Sequence, residues 1–426
     1  MFKKKLHQNF FWLLILLLPF QLGKHFWPNW SYVLGLKVDY LSPTLYLTDI
    51  LVFLILFLWV WGIRDKRYVI RKILRSCWWV FTIFVFLLVN AFLAQNQGVA
   101  FYKFAKIVEF TLLGFYIAKN QYPVSNFELR ETRFPYIQYP LAGAVVYSSL
   151  IALGQFLKQG SLNGIFWWLG ERTFDLATPG IAKTILNGRL VLRPYGIFAH
   201  PNALAGFLLV SLILLSNWSV GKNKVIKSIK YLAFILGGLT IIVSFSRSVW
   251  FLSLMAVFYF IIHKNHFQKK KLFFISSLFF LFSCLLIVVV PYFSTNEAFS
   301  QRKQLMESAL LMIRNFPLSG VGLNNFITRL PDYWSLVGFT YWLQPVHNIY
   351  FLIAAETGFT GLIIFVWFLI LTYRRLFSRL LSSYLVLILG LTTVLFLGLN
   401  DHYWLTLQQN QLLLTIVLGL SWSKLS

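Results

Sequence analysis

The sequence predicts an all-α polytopic membrane protein with about 12 transmembrane helices and one long, partly helical outer loop. Three observations carry this. Apolar runs near spanning length recur from end to end, as expected of helices that satisfy their own backbone inside lipid. Residues are 58% hydrophobic and only 12% charged, too few charges to build the surface of a soluble chain of 426. The basic residues sit in short clusters between apolar runs, as topology signals do. A nucleic-acid partner is excluded by that scatter, despite a formal net charge of +25. Residues 1–426 read as a single integral membrane domain, with 293–346 as an extracytoplasmic loop within it.

The runs fall at 9–22, 44–62, 77–94, 101–118, 139–157, 201–217, 229–246, 248–263, 272–292, 347–373, 381–399 and 404–422. The first, in "MFKKKLHQNFFWLLILLLPF", resembles a signal peptide but lacks a small-residue cleavage site before Gln21, and so reads as an uncleaved span. With Lys3, Lys4 and Lys5 inside, "RDKRYVIRKILR", "KNKVIKSIK", "HKNHFQKKK", "YRRLFSR" and the tail carrying Lys424 all fall on the cytoplasmic side. Both termini are then cytoplasmic, and the two longest loops, 158–200 and 293–346, face outward. Cys77 and Cys284, far apart and in or beside apolar runs, suggest neither a disulfide framework nor a metal site. No fixed-period repeat is present.

This topology gathers polar residues from distant segments on the outer face: Arg193, His200, Asn202, Arg247, His347, Asn348, Asp401 and His402. Guanidinium groups bind phosphate bidentately and keep their charge. Arg193 and Arg247 are therefore candidates for holding a pyrophosphate at the interface; the competing reading is snorkelling toward headgroups. His347 reads either as a general base or as a helix-start contact beside a capping Asn348. His200 and Asn202, in "AHPNALAGF", suit a helix start as well as a catalytic role. Asp401 would orient a base or neutralise an arginine. Glu356 falls deep in its span, where a basic or hydroxyl partner inside the bundle is expected. Lys103, Lys106 and Glu109 follow one another at i, i+3, i+6: Lys106–Glu109 reads as an intrahelical pair, and Lys103 as an extension of the anion site. The outer loops hold no Asp-x-Asp, no His/Cys cluster of metal spacing and no phosphate-cradling glycine loop, so neither metal nor cofactor is expected.

Four segments carry a resemblance. "HNIYFLIAAETGFTG" has His-Asn, nine residues, Gly, two residues, Gly, through His347, Asn348, Gly358 and Gly361. "RPYGIFAHPNALAGFLL", "SFSRSVWFLSL" and "RKQLMESALLMIRNFPLSGVGLNNF" precede it in the same order. Together they resemble the O-antigen ligase and polymerase family of bacterial membrane glycosyltransferases. The resemblance implies a GT-C-like fold in the bacterial inner membrane with its active site on the extracytoplasmic face. The implied reaction moves a glycan from undecaprenyl pyrophosphate to an acceptor hydroxyl, on a glycan or a lipid core, without metal and with inversion. It also implies pyrophosphate binding by Arg193 and Arg247, and base catalysis by His347. Phe251 stands where many of the family's ligases have Leu. Repeat-unit polymerisation and protein O-glycosylation share these motifs. A lipid-linked glycan transporter or flippase is the rival of another class.

Overall fold

The structure, a computed structural model, describes residues 3–63, 78–120, 137–217, 224–264, 297–333, 343–378 and 382–423. The expected span 272–292, the loop "RDKRYVIRKILR", most of "HKNHFQKKK", Cys77, Cys284 and Lys424 lie outside the described residues.

The other expected spans each coincide with described helix. These are α1 (Lys3–Leu16), α2 (Leu47–Gly62), α3 (Trp78–Leu93), α4 (Gln97–Asn120), α5 (Gln138–Lys158), α6 (Pro201–Ser216), α7 (Lys224–Val243) and α8 (Arg247–Lys264). Within the long loop lie α9 (Glu297–Asn315) and α10 (Phe326–Tyr333). They are followed by α11 (Ile349–Phe377), α12 (Ser382–Leu397), α13 (Tyr403–Thr406) and α14 (Gln408–Trp422). Helices α5, α7 and α11 are long and apolar enough to cross a membrane; α2, α3, α6 and the apolar parts of α1, α8 and α12 are shorter. Large apolar side chains such as Phe53, Phe81, Leu254 and Ile363 are exposed on the helix exteriors. Such a surface belongs against lipid.

Helix α6 is the centre of the bundle: every residue except Asn202 and Ser216 is buried. A helix that is apolar all round must be surrounded, and α5, α7, α8, α12 and α14 pack against it. Its first turn therefore presents Asn202 at one end of the core.

Four local departures from the expected spans have physical causes. Helix α1 stops at Leu16 rather than at 22, because Pro19 has no N–H and disfavours helical backbone at Leu18. Helix α11 is two helices joined at Gly358, which has φ 68° and ψ −176°. The last span breaks at the extended Leu407, where the carbonyl of Leu405 accepts hydrogen bonds from the side chains of Lys103 and Gln411 instead. The chain is also not purely helical. Strand Gly23–His25 pairs with Thr44–Tyr46, Tyr32–Val33 with Leu36–Lys37, and Lys183–Leu186 with Arg189–Leu192, all antiparallel. The last hairpin turns on Asn187 and Gly188, both at positive φ (48° and 75°), as a two-residue turn matched to strand twist requires.

The loop after α9 is locked to α11 by backbone hydrogen bonds. Val321 N–H donates to Ala355 O at 2.8 Å, Gly322 N–H to Glu356 O at 3.0 Å, and Phe359 N–H to Pro317 O at 2.7 Å. The segments cross so closely that a Cβ on Gly320 would lie 2.3 Å from the Glu356 carbonyl carbon, and one on Gly358 2.3 Å from that of Leu318. The kink in α11 exposes the backbone groups that this crossing uses.

Candidate active site

The segments joining α1–α2, α5–α6, α7–α8 and α12–α13 meet at one end of the bundle. Gln21 N–H donates to Leu169 O at 3.3 Å, and the Asn324 side chain, from the loop after α9, donates to Tyr40 O at 3.2 Å. All of these segments except α7–α8, together with α4, α9 and the start of α14, line a cavity of about 770 Å³.

His200 is the N-cap of α6. Its Nδ1 accepts the Asn202 N–H at 3.1 Å, with Pro201 supplying the first helical residue. This arrangement frees the Asn202 side chain to bridge two partners. Its Oδ1 accepts from Arg193 Nη2 at 2.6 Å, and its Nδ2 donates to Asp401 Oδ2 at 3.1 Å. Arg193 Nε donates to Ser244 O at 2.7 Å, which ties it to the turn before Arg247. Phe245 makes that turn at φ 52°. Asp401 Oδ1 faces His347 Nδ1 at 3.3 Å and accepts the His402 N–H at 3.0 Å. A continuous polar chain thus runs Arg193–Asn202–Asp401–His347. With Nδ1–H donated to the carboxylate, His347 Nε2 is the basic nitrogen. The His402 ring lies 5.1 Å from that of His347, and its Nδ1 meets Thr406 Oγ1 at 2.8 Å.

The electrostatics follow from burial and neighbours. Burial pulls the Arg193 guanidinium down to about 10, against the pull of Tyr195 and Asp401, so it stays charged at neutral pH. Burial would raise the Asp401 carboxyl, but the His347 hydrogen bond and the surrounding histidines outweigh it and hold it well below the usual carboxylate range. Burial pushes His200 down to about 4 and His402 to about 3. An unfolded chain protonates histidine from about pH 6.5 downward, whereas these two remain neutral in the fold. The unfolded state therefore binds more protons below that pH, and stability declines as pH falls toward 4. The thermal midpoint in detergent is expected to drop between about pH 7 and pH 4.5, and H402Q to flatten the drop. A midpoint constant across that range would refute it.

Of the residues singled out in the sequence, His200, His347, Asp401, His402, Lys103 and Lys106 line the cavity. Arg193 and Asn202 do not line it; they support Asp401 from behind. Arg247 is exposed at the start of α8 and acts on Arg193 through its charge. Asn348 caps α11: its Oδ1 accepts the N–H of Tyr350 at 2.9 Å and of Phe351 at 3.1 Å. Its Nδ2 also ties α11 to Leu399 O at 3.1 Å. Glu356 lies beneath the site, where its carboxylate accepts the backbone N–H groups of Asn324 and Phe326 and attracts Lys103. The intrahelical pair Lys106–Glu109 is present at 3.2 Å, but a closer partner, Asp49 on α2, lies at 2.6 Å.

Arg172, Arg302 and Tyr40 also line the cavity and were not singled out in the sequence. Arg302 acts electrostatically on Arg193, His200 and His402. Both arginines sit in the two long loops, where charge bias is a weak guide; a cation unneeded for topology was the available signal.

A family model described as O-Antigen ligase matches residues 232–366. Over this stretch the chain is similar to the O-antigen ligase family. The matched segment contains Arg247, Arg302, His347, Asn348 and the Gly320–Gly358 crossing. Arg193, His200, Asn202, Asp401 and His402 lie outside it and reach it through the hydrogen bonds above. No curated protein matches the chain.

Proposed function

We propose that the protein is a metal-independent, inverting glycosyltransferase of the O-antigen ligase type. It moves a glycan from undecaprenyl pyrophosphate to an acceptor hydroxyl on the extracytoplasmic face of the inner membrane. The observation that carries the reading is the hydrogen-bonded chain Arg193–Asn202–Asp401–His347, ending on a cavity that Arg172 and Arg302 also line. Its support from topology is independent: every segment contributing to the cavity is one that the basic clusters assign to the outer side. Twelve spans and a GT-C-like arrangement are part of the same reading.

In this mechanism His347 Nε2 takes the proton of the acceptor hydroxyl, and Asp401 stabilises the imidazolium that forms. The freed oxygen attacks the anomeric carbon on the face opposite the pyrophosphate. The carbon–oxygen bond to pyrophosphate breaks, and undecaprenyl pyrophosphate departs with the electron pair. Arginines placed before the reaction stabilise the charge that develops on it, Arg302 and Arg172 from the cavity, Arg193 and Arg247 beside it. Binding both substrates in one cavity supplies the remainder through proximity.

The test is transfer by purified protein in detergent, with undecaprenyl-pyrophosphate-linked oligosaccharide, alternative acceptors and product masses. Consumption of donor without a second compartment separates an enzyme from a transporter. The product mass distinguishes ligation, polymerisation and transfer to protein, which fold and family leave open. Ligand atoms of His347, Asp401 and His402 lie within 4.8 Å of one another, the spacing of a metal site. The hydrogen bonds to Asp401 and Thr406 occupy Nδ1 of both histidines and leave each Nε2 open, so the donor set fits a general base and a metal ligand alike. Transfer is expected to survive EDTA unchanged; loss restored by a divalent cation would assign the trio to a metal.

A further inference from the structure

Three kinds of positive charge line the cavity, and the first, Lys103, gives its Nζ to the Leu405 carbonyl and is attracted by Glu356. Arg172 and Arg302 have no carboxylate within ion-pair distance among the described residues. Lys106 is different: Asp49 Oδ2 lies 2.6 Å and Glu109 Oε2 3.2 Å from its Nζ. Its charge is already answered twice, so this part of the wall has little to offer a phosphate. Gln408 Nε2 donates to the other oxygen of Asp49, which fixes the pair from below.

The same part of the wall is aromatic. Tyr40, Tyr46 and Tyr102 line it, brought there by the 39–46 segment and the first turns of α4. The rings are held. Tyr102 Oη accepts the Thr44 N–H at 3.1 Å and donates to Thr44 O at 3.2 Å. Lys106 Nζ stands 5.7 Å from the Tyr46 ring centroid. Tyr40 is the junction with the catalytic end, its ring edge-on to His402 at 5.5 Å. A pyranose presents apolar C–H faces and a rim of hydroxyls. Its faces are matched by fixed aromatic rings, and its hydroxyls by polar groups that carry no uncompensated charge.

We propose that Tyr40, Tyr46 and Tyr102, with the paired Lys106, form a subsite for an uncharged sugar ring, distinct from the arginines that meet the phosphates. This rests on the glycosyl-transfer reading above and adds where the glycan is recognised. The subsite lies wholly outside the matched segment, so it is free to differ while that segment stays the same.

The experiment measures binding of three probes to the purified full chain in detergent: undecaprenyl pyrophosphate, the same lipid bearing an oligosaccharide, and a lipid-free core oligosaccharide. The variants are Tyr46→Leu and Tyr102→Leu, two independent removals of a ring. Each is expected to weaken binding of one glycan-bearing probe about tenfold. Each is also expected to leave undecaprenyl pyrophosphate within about twofold, which shows that the fold and phosphate site survive. Weakening of the lipid-linked probe assigns the subsite to the donor; weakening of the core oligosaccharide assigns it to the acceptor. Unchanged affinity for both glycans overturns the proposal, as does an equal loss for undecaprenyl pyrophosphate in both variants. If the wild type binds neither lipid, the donor assignment above fails, and the core oligosaccharide alone decides the subsite.

Discussion

Replacing His347 by glutamine is expected to reduce glycan transfer by about two to four orders of magnitude, the usual contribution of a general base. Glutamine can still donate a hydrogen bond toward Asp401 Oδ1, which now lies 3.3 Å from His347 Nδ1, so the polar chain back to Arg193 stays filled. It has no basic nitrogen to take the acceptor's proton. Binding of the lipid-linked donor is therefore expected to remain close to wild type, because the arginines and the cavity shape are untouched. Single-turnover transfer and equilibrium donor binding, measured on the same preparation, separate the two effects. Wild-type transfer by H347Q would remove His347 from the chemistry. A parallel loss of donor affinity would make it a packing residue at the start of α11.

Gly320→Ala is expected to have the largest effect on stability. Gly320 sits at φ 67°, and an added Cβ would meet the backbone of Glu356, Thr357 and Ala355 at 2.3, 2.4 and 2.6 Å. Holding a non-glycine residue in the left-handed region costs on the order of 1–3 kcal/mol by itself. The clash adds to that, because backbone atoms within a helix kink cannot rotate aside as a side chain can. Gly358→Ala attacks the same crossing from the other strand, at φ 68° and 2.3 Å from the carbonyl of Leu318. Breaking the crossing also frees the N–H groups of Asn324 and Phe326 from Glu356, and with them the loop that follows α9. Both variants are expected to lower the thermal midpoint in detergent by several degrees or to fail to accumulate. Gly238→Ala is the control, since nothing lies within 4 Å of its Cβ position. Midpoints equal to that control would show that the two segments are not locked together.

Much of this molecule was legible before any coordinates. The described helices follow the apolar runs closely, and His347, Asp401 and His402 line one cavity. Some of what was missed was also present in the letters. "LNGR" is a hairpin turn signal, and Pro19 a helix stop, neither of which hydropathy alone reports. Gly358 was visible as part of a motif, but its reason was not. A glycine in a helix reads as a small residue until the neighbouring loop is known to cross it.

The sequence by itself determined the helical class, the positions of the apolar helices and the residue types available for chemistry. Those follow from hydropathy and charge summed over short windows, and such sums need no knowledge of neighbours. Only the tertiary structure decided that Asn202 joins Arg193 to Asp401, that Lys106 is claimed by Asp49, and that Arg172 and Arg302 face the cavity. Asn202 and Asp401 are 199 residues apart. A hydrogen bond reaches about 3 Å, so which side chains meet is settled by how the helices pack around α6.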